Sequence, residues 1–201
     1  YPERLSGYWN TLNVGDFGMI GYLKIDRIGV ELPVYHGTSS EVLSYGVGHL
    51  EGSSLPVGGE STHSVLSGHR GLPSARLFTD LDDLREGDLF MIRVLGELLT
   101  YEVDQIRIVE PTDTGLISIE EDKDYCTLLT CTPYGINTQR LLVRGHQVDA
   151  TQKRNIYIAN EAYRVDTLIV MPLVALPIIF VLLLYVMFAP VKKASLKEEH
   201  L

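Results

Sequence analysis

The sequence predicts a mainly β domain, a barrel or sandwich, followed by one membrane-crossing helix. Three observations carry that expectation. Short β-type runs recur from residue 18 to residue 148, each bounded by turn residues. Only two short stretches among them have helical character. Residues 168–189 then form 22 consecutive positions without a charge. At 1.5 Å per residue, such a helix crosses a hydrocarbon core of about 30 Å.

The elements follow in chain order. Residues 1–17 hold Tyr8 and Trp9 and are expected to pack on the β domain. The chain opens on Tyr1 rather than Met, so a preceding segment is expected. Strands are expected at Met19–Ile25, Val30–Tyr35, His63–Ser67, Leu89–Leu95, Leu99–Val109, Tyr125–Cys131 and Arg140–Val148. Gly29, Pro56–Gly59, Gly71, Gly87–Asp88, Gly96, Pro133 and Gly135 punctuate them. Residues 38–45, TSSEVLSY, read as a helical turn. Pro73–Leu84 reads as the best short helix, because Ser74 can cap it and Leu77, Leu81 and Leu84 share one face. The β domain therefore spans 18–148, and the polar stretch 149–166 reads as a linker.

A transmembrane helix is expected at 167–190. Pro172 and Pro177 would kink it, which membrane helices tolerate. Soluble helices more often keep a polar face, which argues against a buried core helix. Lys192, Lys193 and Lys197 follow the span, so the positive-inside rule puts the tail 191–201 in the cytoplasm. The β domain is then extracellular, anchored to the cell membrane by a single C-terminal pass.

The chain carries a formal net charge of −9. An acidic surface repels phosphate backbones, so no nucleic acid partner is expected. Cys126 and Cys131 lie five apart in one expected strand. Five residues of strand separate their Cα atoms by about 16 Å, too far for a disulfide. The odd spacing also sends them to opposite faces. They read as two free thiols in an oxidising compartment, where a thiol tends to have a chemical reason to be.

Cys131 ends a strand beside the loop Thr132-Pro133-Tyr134-Gly135, a setting that suits a catalytic group. Cys126 reads as a small buried hydrophobe. A thiol attacks as thiolate, which a nearby His or Arg favours. His69 stands in VLSGHRG, after a strand and on a tight loop. By itself it is equally a surface histidine. His36, His49, His63 and His146 sit in less distinctive settings. Arg140 opens the strand after the Cys131 loop and can support an oxyanion if the two strands pair. Arg144, on the same strand face, is the competing candidate. HExxH and CxxC spacings are absent, so neither a metal nor a cofactor is expected.

These residues resemble the sortases, cysteine transpeptidases of the Gram-positive cell surface. The family's TLxTC signature stands here as Thr127-Leu128-Leu129-Thr130-Cys131. The family's Arg, nine after the Cys in the similar branch, matches Arg140, and His69 lies 62 before Cys131. LPVYHGTS at 32–39, SGHRG at 67–71 and TCTPYGINTQRLLVRGH at 130–146 resemble class C, the pilus-specific sortases. Two departures stand out. Gln139 replaces a His often found before the Arg, with little effect expected. The Asp-Pro-aromatic motif of the class C lid does not occur in this sequence: either the lid lies before Tyr1 or the protein never had one, and an open cleft is expected if it was removed.

The resemblance implies an eight-stranded β-barrel with a few short peripheral helices. It implies that Cys131 attacks the Thr–Gly carbonyl of an LPxTG-like sorting signal on a pilin subunit. His69 would then move protons and Arg140 would support the oxyanion. Ser67, Leu129 and Thr130 are the expected substrate contacts. The thioacyl-enzyme would be resolved by a lysine amine of the next pilin. Two other readings stand beside this one. The first is a sortase that anchors surface proteins to peptidoglycan. The second is a non-catalytic surface adhesin, which gives no reason for Cys131, His69 and Arg140 to coincide. A serine hydrolase using Ser67 lacks a GxSxG elbow.

Overall fold

The structure, a computed structural model, describes residues 7–14, 18–71 and 76–149, together with Leu176 and Leu184. The chain divides into two units, Tyr1–Lys153 and Arg154–Leu201.

The first unit is a closed eight-stranded barrel. Its strands are β1 (Met19–Ile25), β2 (Val30–His36), β3 (Val47–His49), β4 (Thr62–Ser67), β5 (Leu89–Val94), β6 (Glu97–Val109), β7 (Asp124–Thr132) and β8 (Gln139–Val148). They close in the order β1-β2-β3-β4-β7-β8-β6-β5. The β2–β3 and β4–β7 pairs are parallel and the others antiparallel.

Alternation explains the barrel interior. Leu66, Cys126, Leu128, Leu141 and Val143 point inward and join Leu23, Ile25, Phe90, Ile92, Tyr101 and Val103 in one core. Phe90 and Tyr101 stack with ring centroids 5.4 Å apart. Burying a large apolar side chain contributes roughly 1.5–3 kcal/mol, so this interior dominates stability. The β5–β6 hairpin turns on Leu95 (φ 50) and Gly96 (φ 82), the left-handed pair that matches strand twist.

Two sequence expectations need correction. The helix expected over Pro73–Leu84 is not formed within the described part of that stretch. Residues 77–80 are turns and Leu81–Asp83 is a single 3-10 turn. The reason is competition for backbone donors. The Phe78 N–H donates to His69 O at 3.0 Å instead of to a residue one helical turn back. The Thr79 hydroxyl oxygen accepts from Gly71 N–H at 3.2 Å. Leu77, Leu81 and Leu84 are nevertheless all buried. The second correction is β3, which the sequence reading missed. It is three residues long and centred on Gly48, where a Cβ would lie 2.2 Å from Gly37 O.

The helical turn at 38–45 is α1 (Ser40–Tyr45), capped by the Ser39 hydroxyl, which accepts from Val42 N–H at 3.3 Å. Tyr8 lies under the N-terminal turn and is buried. Its hydroxyl donates to His49 Nδ1 at 2.8 Å and accepts from Gly37 N–H at 3.0 Å.

In the second unit Leu176 and Leu184 are helical. The rest of the expected membrane span at 167–190 lies outside the described residues, as do most of the linker and the tail. Among the described residues no helix is long and apolar enough to cross a membrane.

Candidate active site

The site is built on three adjacent strands, β4, β7 and β8. β7 pairs with β8 so that Cys131 stands opposite Arg140. Facing residues of an antiparallel pair have Cα atoms about 4.5–5.5 Å apart, with both side chains on one face. On its other side β7 runs parallel to β4 with a constant offset, from Thr62↔Asp124 to Ser67↔Leu129. The ladder continues one residue further, with Gly68 N–H donating to Leu129 O at 3.0 Å. The same offset carried on to the next residue would set His69 level with Cys131. The 62-residue spacing in the sequence is therefore the strand register itself.

Three contacts hold the His69 turn. The Thr130 hydroxyl donates to Gly68 O at 2.8 Å. The Phe78 N–H donates to His69 O, and the Phe78 ring lies against Gly68, where a Cβ would come within 2.7 Å of it. Arg70 ties the next residue down. Its guanidinium pairs with Asp82 and lies 5.9 Å from the Tyr134 ring centroid. Its Nη1 is 3.5 Å from the Thr132 hydroxyl.

The face of β4–β7–β8 turned away from the core forms the floor. Below the Cys131–Arg140 row comes Ser67–Leu129–Leu142, then Val65–Thr127–Arg144, then His63–Tyr125–His146. Ser67, Leu129, Cys131 and Arg140 are half-buried. Thr130, expected to contact substrate, is instead 1% exposed and on the core side, with its hydroxyl committed to Gly68. Its role is to hold the turn that carries His69.

The two arginines separate clearly. Among the described residues the Arg140 guanidinium donates only to Asn137 O and Gln139 O, at 3.2 and 3.0 Å. Arg144 instead makes two bonds to Asp104, at 3.0 and 3.1 Å, reaches Glu120 at 3.3 Å and lies 4.1 Å over the Tyr125 ring. Burial is the largest single influence and opposes its charge, but the Asp104 bonds together with the nearby charges of Asp104, Tyr125 and Glu120 raise its pKa. Arg144 is a structural cation, and Arg140 is the one paired with Cys131 across the β7–β8 ladder. Gln139, the departure noted above, donates to Glu110 Oε1 at 3.1 Å.

Both cysteines are free, Cys126 fully buried and Cys131 half-buried. Burial pushes the Cys126 thiol far up, which silences it as a nucleophile. Among the described residues no group of three or more His, Cys, Asp or Glu could hold a metal ion. Chemically, a thiol, an imidazole and a guanidinium brought to adjacent strands are groups able to serve as nucleophile, base and oxyanion donor.

Comparison with known proteins gives a consistent picture. The sortase domain family model matches residues 23–148. Sortase D of Bacillus subtilis is 34% identical over 131 residues, covering 64% of this chain and 63% of that protein. Sortase A of Staphylococcus aureus is 30% identical over 145 residues, covering 70% of this chain and 64% of that protein. The chain thus spans less than two-thirds of the length of these curated relatives. Among solved structures, sortase C1 of Streptococcus agalactiae is 58% identical with a TM-score of 0.69, covering 71% of this chain and 74% of that one. Sortase C of Streptococcus pneumoniae, whose structure is described in terms of pilin substrate specificity, is 51% identical with a TM-score of 0.68. That match covers 74% of this chain and 77% of that one.

Proposed function

The chain belongs to the sortase family, and on that premise we propose that it is a cysteine transpeptidase that polymerises pilins. The observation that carries the reading is the Cys131↔Arg140 pair together with the constant β4–β7 register of 62 that leads into His69 on the other side of β7.

In this reading the Cys131 sulfur attacks the carbonyl carbon between Thr and Gly of an LPxTG-like signal. The new C–S bond pushes electrons onto oxygen, and Arg140 stabilises that oxyanion. The C–N bond then breaks, and His69 gives its proton to the leaving amine. A thioester remains. His69 next takes a proton from an incoming lysine amine of another pilin. The amine displaces Cys131, which leaves as thiolate, and an isopeptide bond results. Ser67 and Leu129, both half-buried, form the floor along which the donor peptide lies.

The 167–190 segment is read as the anchor, with the barrel on the extracellular face and the lysine-rich tail in the cytoplasm. Anchoring enzyme and pilin precursor in one bilayer raises their effective concentration without tight cleft binding. The similarity to sortases C supports the pilin acceptor over a cell-wall amine.

The test is a fluorogenic LPxTG-type peptide with wild type and Cys131→Ala. Cleavage by wild type alone is expected. Equal cleavage by both proteins overturns the reading. Adding a pilin domain with its acceptor lysine should give isopeptide-linked ladders. Transfer only to a peptidoglycan amine would instead favour wall anchoring.

A further inference from the structure

The connection from β6 to β7 has to cross the site face. β6 reaches the active-site level at Val109, which pairs with Arg140. β7 begins at the far end of the barrel, at Asp124 opposite Thr62. Partway along, Ser118 sits against His63 of β4. Getting from Val109 to Ser118 requires a shift across β8 and β7 to β4, about 14 Å at strand spacing. It also requires a descent of six residues, about 20 Å. Eight residues, 110–117, separate the two points, a reach of at most about 30 Å. A path round by β5, β1, β2 and β3 is too long. The segment therefore runs over the outer face of β8 and β7. This explains why Val65, Thr127 and Leu142, all facing away from the core, are at most 5% exposed.

His63 is the pin at the end of that diagonal. Its ring is 1% exposed. Nδ1 lies 2.9 Å from Ser118 O and Nε2 lies 2.7 Å from Thr127 Oγ1. A carbonyl only accepts, so Nδ1 carries the proton and Nε2 accepts from the Thr127 hydroxyl. Burial, the largest influence, lowers the His63 pKa and favours this neutral form. One imidazole thus joins the crossing segment to β7, at Thr127, four residues from Cys131. Beyond Ser118 the chain is held by Arg144 to Glu120 and by Asp122 N–H to Ser61 Oγ. Before it, Leu116 and Ile117 are half-buried, and among the described residues no hydrogen bond ties them to the barrel except through Ser118.

We propose that His63 is a positioning residue that fixes the 110–118 crossing as a wall of the donor-peptide groove, setting donor affinity rather than the rate of acyl transfer. The inference rests on the transpeptidase reading, because it assigns the groove to the donor.

The experiment compares His63→Leu and His63→Gln. Leucine fills the space without either hydrogen bond. A glutamine amide presents one donor and one acceptor and can rebuild the bridge. For His63→Leu we expect KM for the sorting peptide to rise about tenfold, with kcat within threefold of wild type. Alkylation of Cys131 by iodoacetamide should keep its rate, and His63→Gln should recover most of the affinity. Amide hydrogen exchange should speed up at 114–120 in His63→Leu while β4 and β7 stay protected. Unchanged KM, or a loss in kcat and alkylation rate that glutamine does not repair, overturns the proposal. So does unchanged exchange at 114–120. A wild type that cleaves no sorting peptide overturns the underlying reading, and the exchange data tell that failure apart from a failure of the His63 tie.

Discussion

Arg140 stands directly across the antiparallel ladder from Cys131, while Arg144, four residues further along the same face of β8, is locked to Asp104. Two arginines on one strand face thus have different tasks. One cation is paired with Cys131 across the ladder and the other is spent on holding β6 and the 110–123 connection to the barrel.

Replacing Arg140 by Ala is expected to lower kcat by about 10²–10³, the usual cost of losing one oxyanion donor. Arg140→Lys should recover only part, since an ammonium cannot reproduce the guanidinium fork. Arg144→Ala should instead cost about 1–3 kcal/mol of stability through its charged hydrogen bonds. Steady-state kinetics beside urea unfolding checks the division. A larger kcat loss for Arg144→Ala than for Arg140→Ala would reverse the assignment.

Iodoacetamide should modify the folded protein once, at Cys131. Cys126 is 0% exposed and its thiol is pushed up by burial. Mass spectrometry should show single labelling of wild type and none of Cys131→Ala, with two labels in denaturant. Rapid labelling of Cys126 under native conditions would contradict the packing.

Gly68→Ala should damage the His69 turn. The added methyl would come within 2.7 Å of the Phe78 ring, which is itself fully buried. Overpacking of this kind typically costs about 1–3 kcal/mol. The expected result is a lower Tm together with a fall in kcat. Phe78→Leu in the same chain should restore part of both, because it removes the opposing ring.

The buried histidines make stability depend on pH. Burial is the largest influence on both His49 and His63 and lowers both pKa values from about 6.5. Below pH 6.5 the unfolded chain takes up protons that the native chain refuses, so stability rises with pH. The contribution is complete above pH 6.5 and drains as the pH falls toward the native values. Tyr8 acts at the other end. Burial pushes its pKa up to about 12, so its contribution is complete below pH 10 and drains between 10 and 12. Thermal melts from pH 7.5 to 5.0 should show Tm falling, with a shallower fall in His63→Gln. Parallel slopes for the two proteins would show that His63 is not a source of the acid sensitivity.

Much of the barrel is legible in the sequence because alternation is a local property. Met19–Ile25 coincides with β1, and the other long strands match within two residues at each end. Locality also explains the misses. β3 is too short to show a period, and the 76–84 stretch gave up its helix because His69 O and Gly71 N–H took its backbone and side-chain partners. His63 looked ordinary because its two partners, Ser118 and Thr127, are 55 and 64 residues away.

The amino-acid order alone determined where strands run, that Cys126 and Cys131 face opposite ways, and that a thiol, an imidazole and a guanidinium stand at family-like intervals. Only the folded chain decided that β4 and β7 lie side by side in a register of 62, that Arg140 pairs across the ladder with Cys131 while Arg144 is tied to Asp104, and that Thr130 turns inward. Side-chain period depends on a residue's neighbours along the backbone, whereas strand partner and register depend on how the whole barrel closes around its apolar interior.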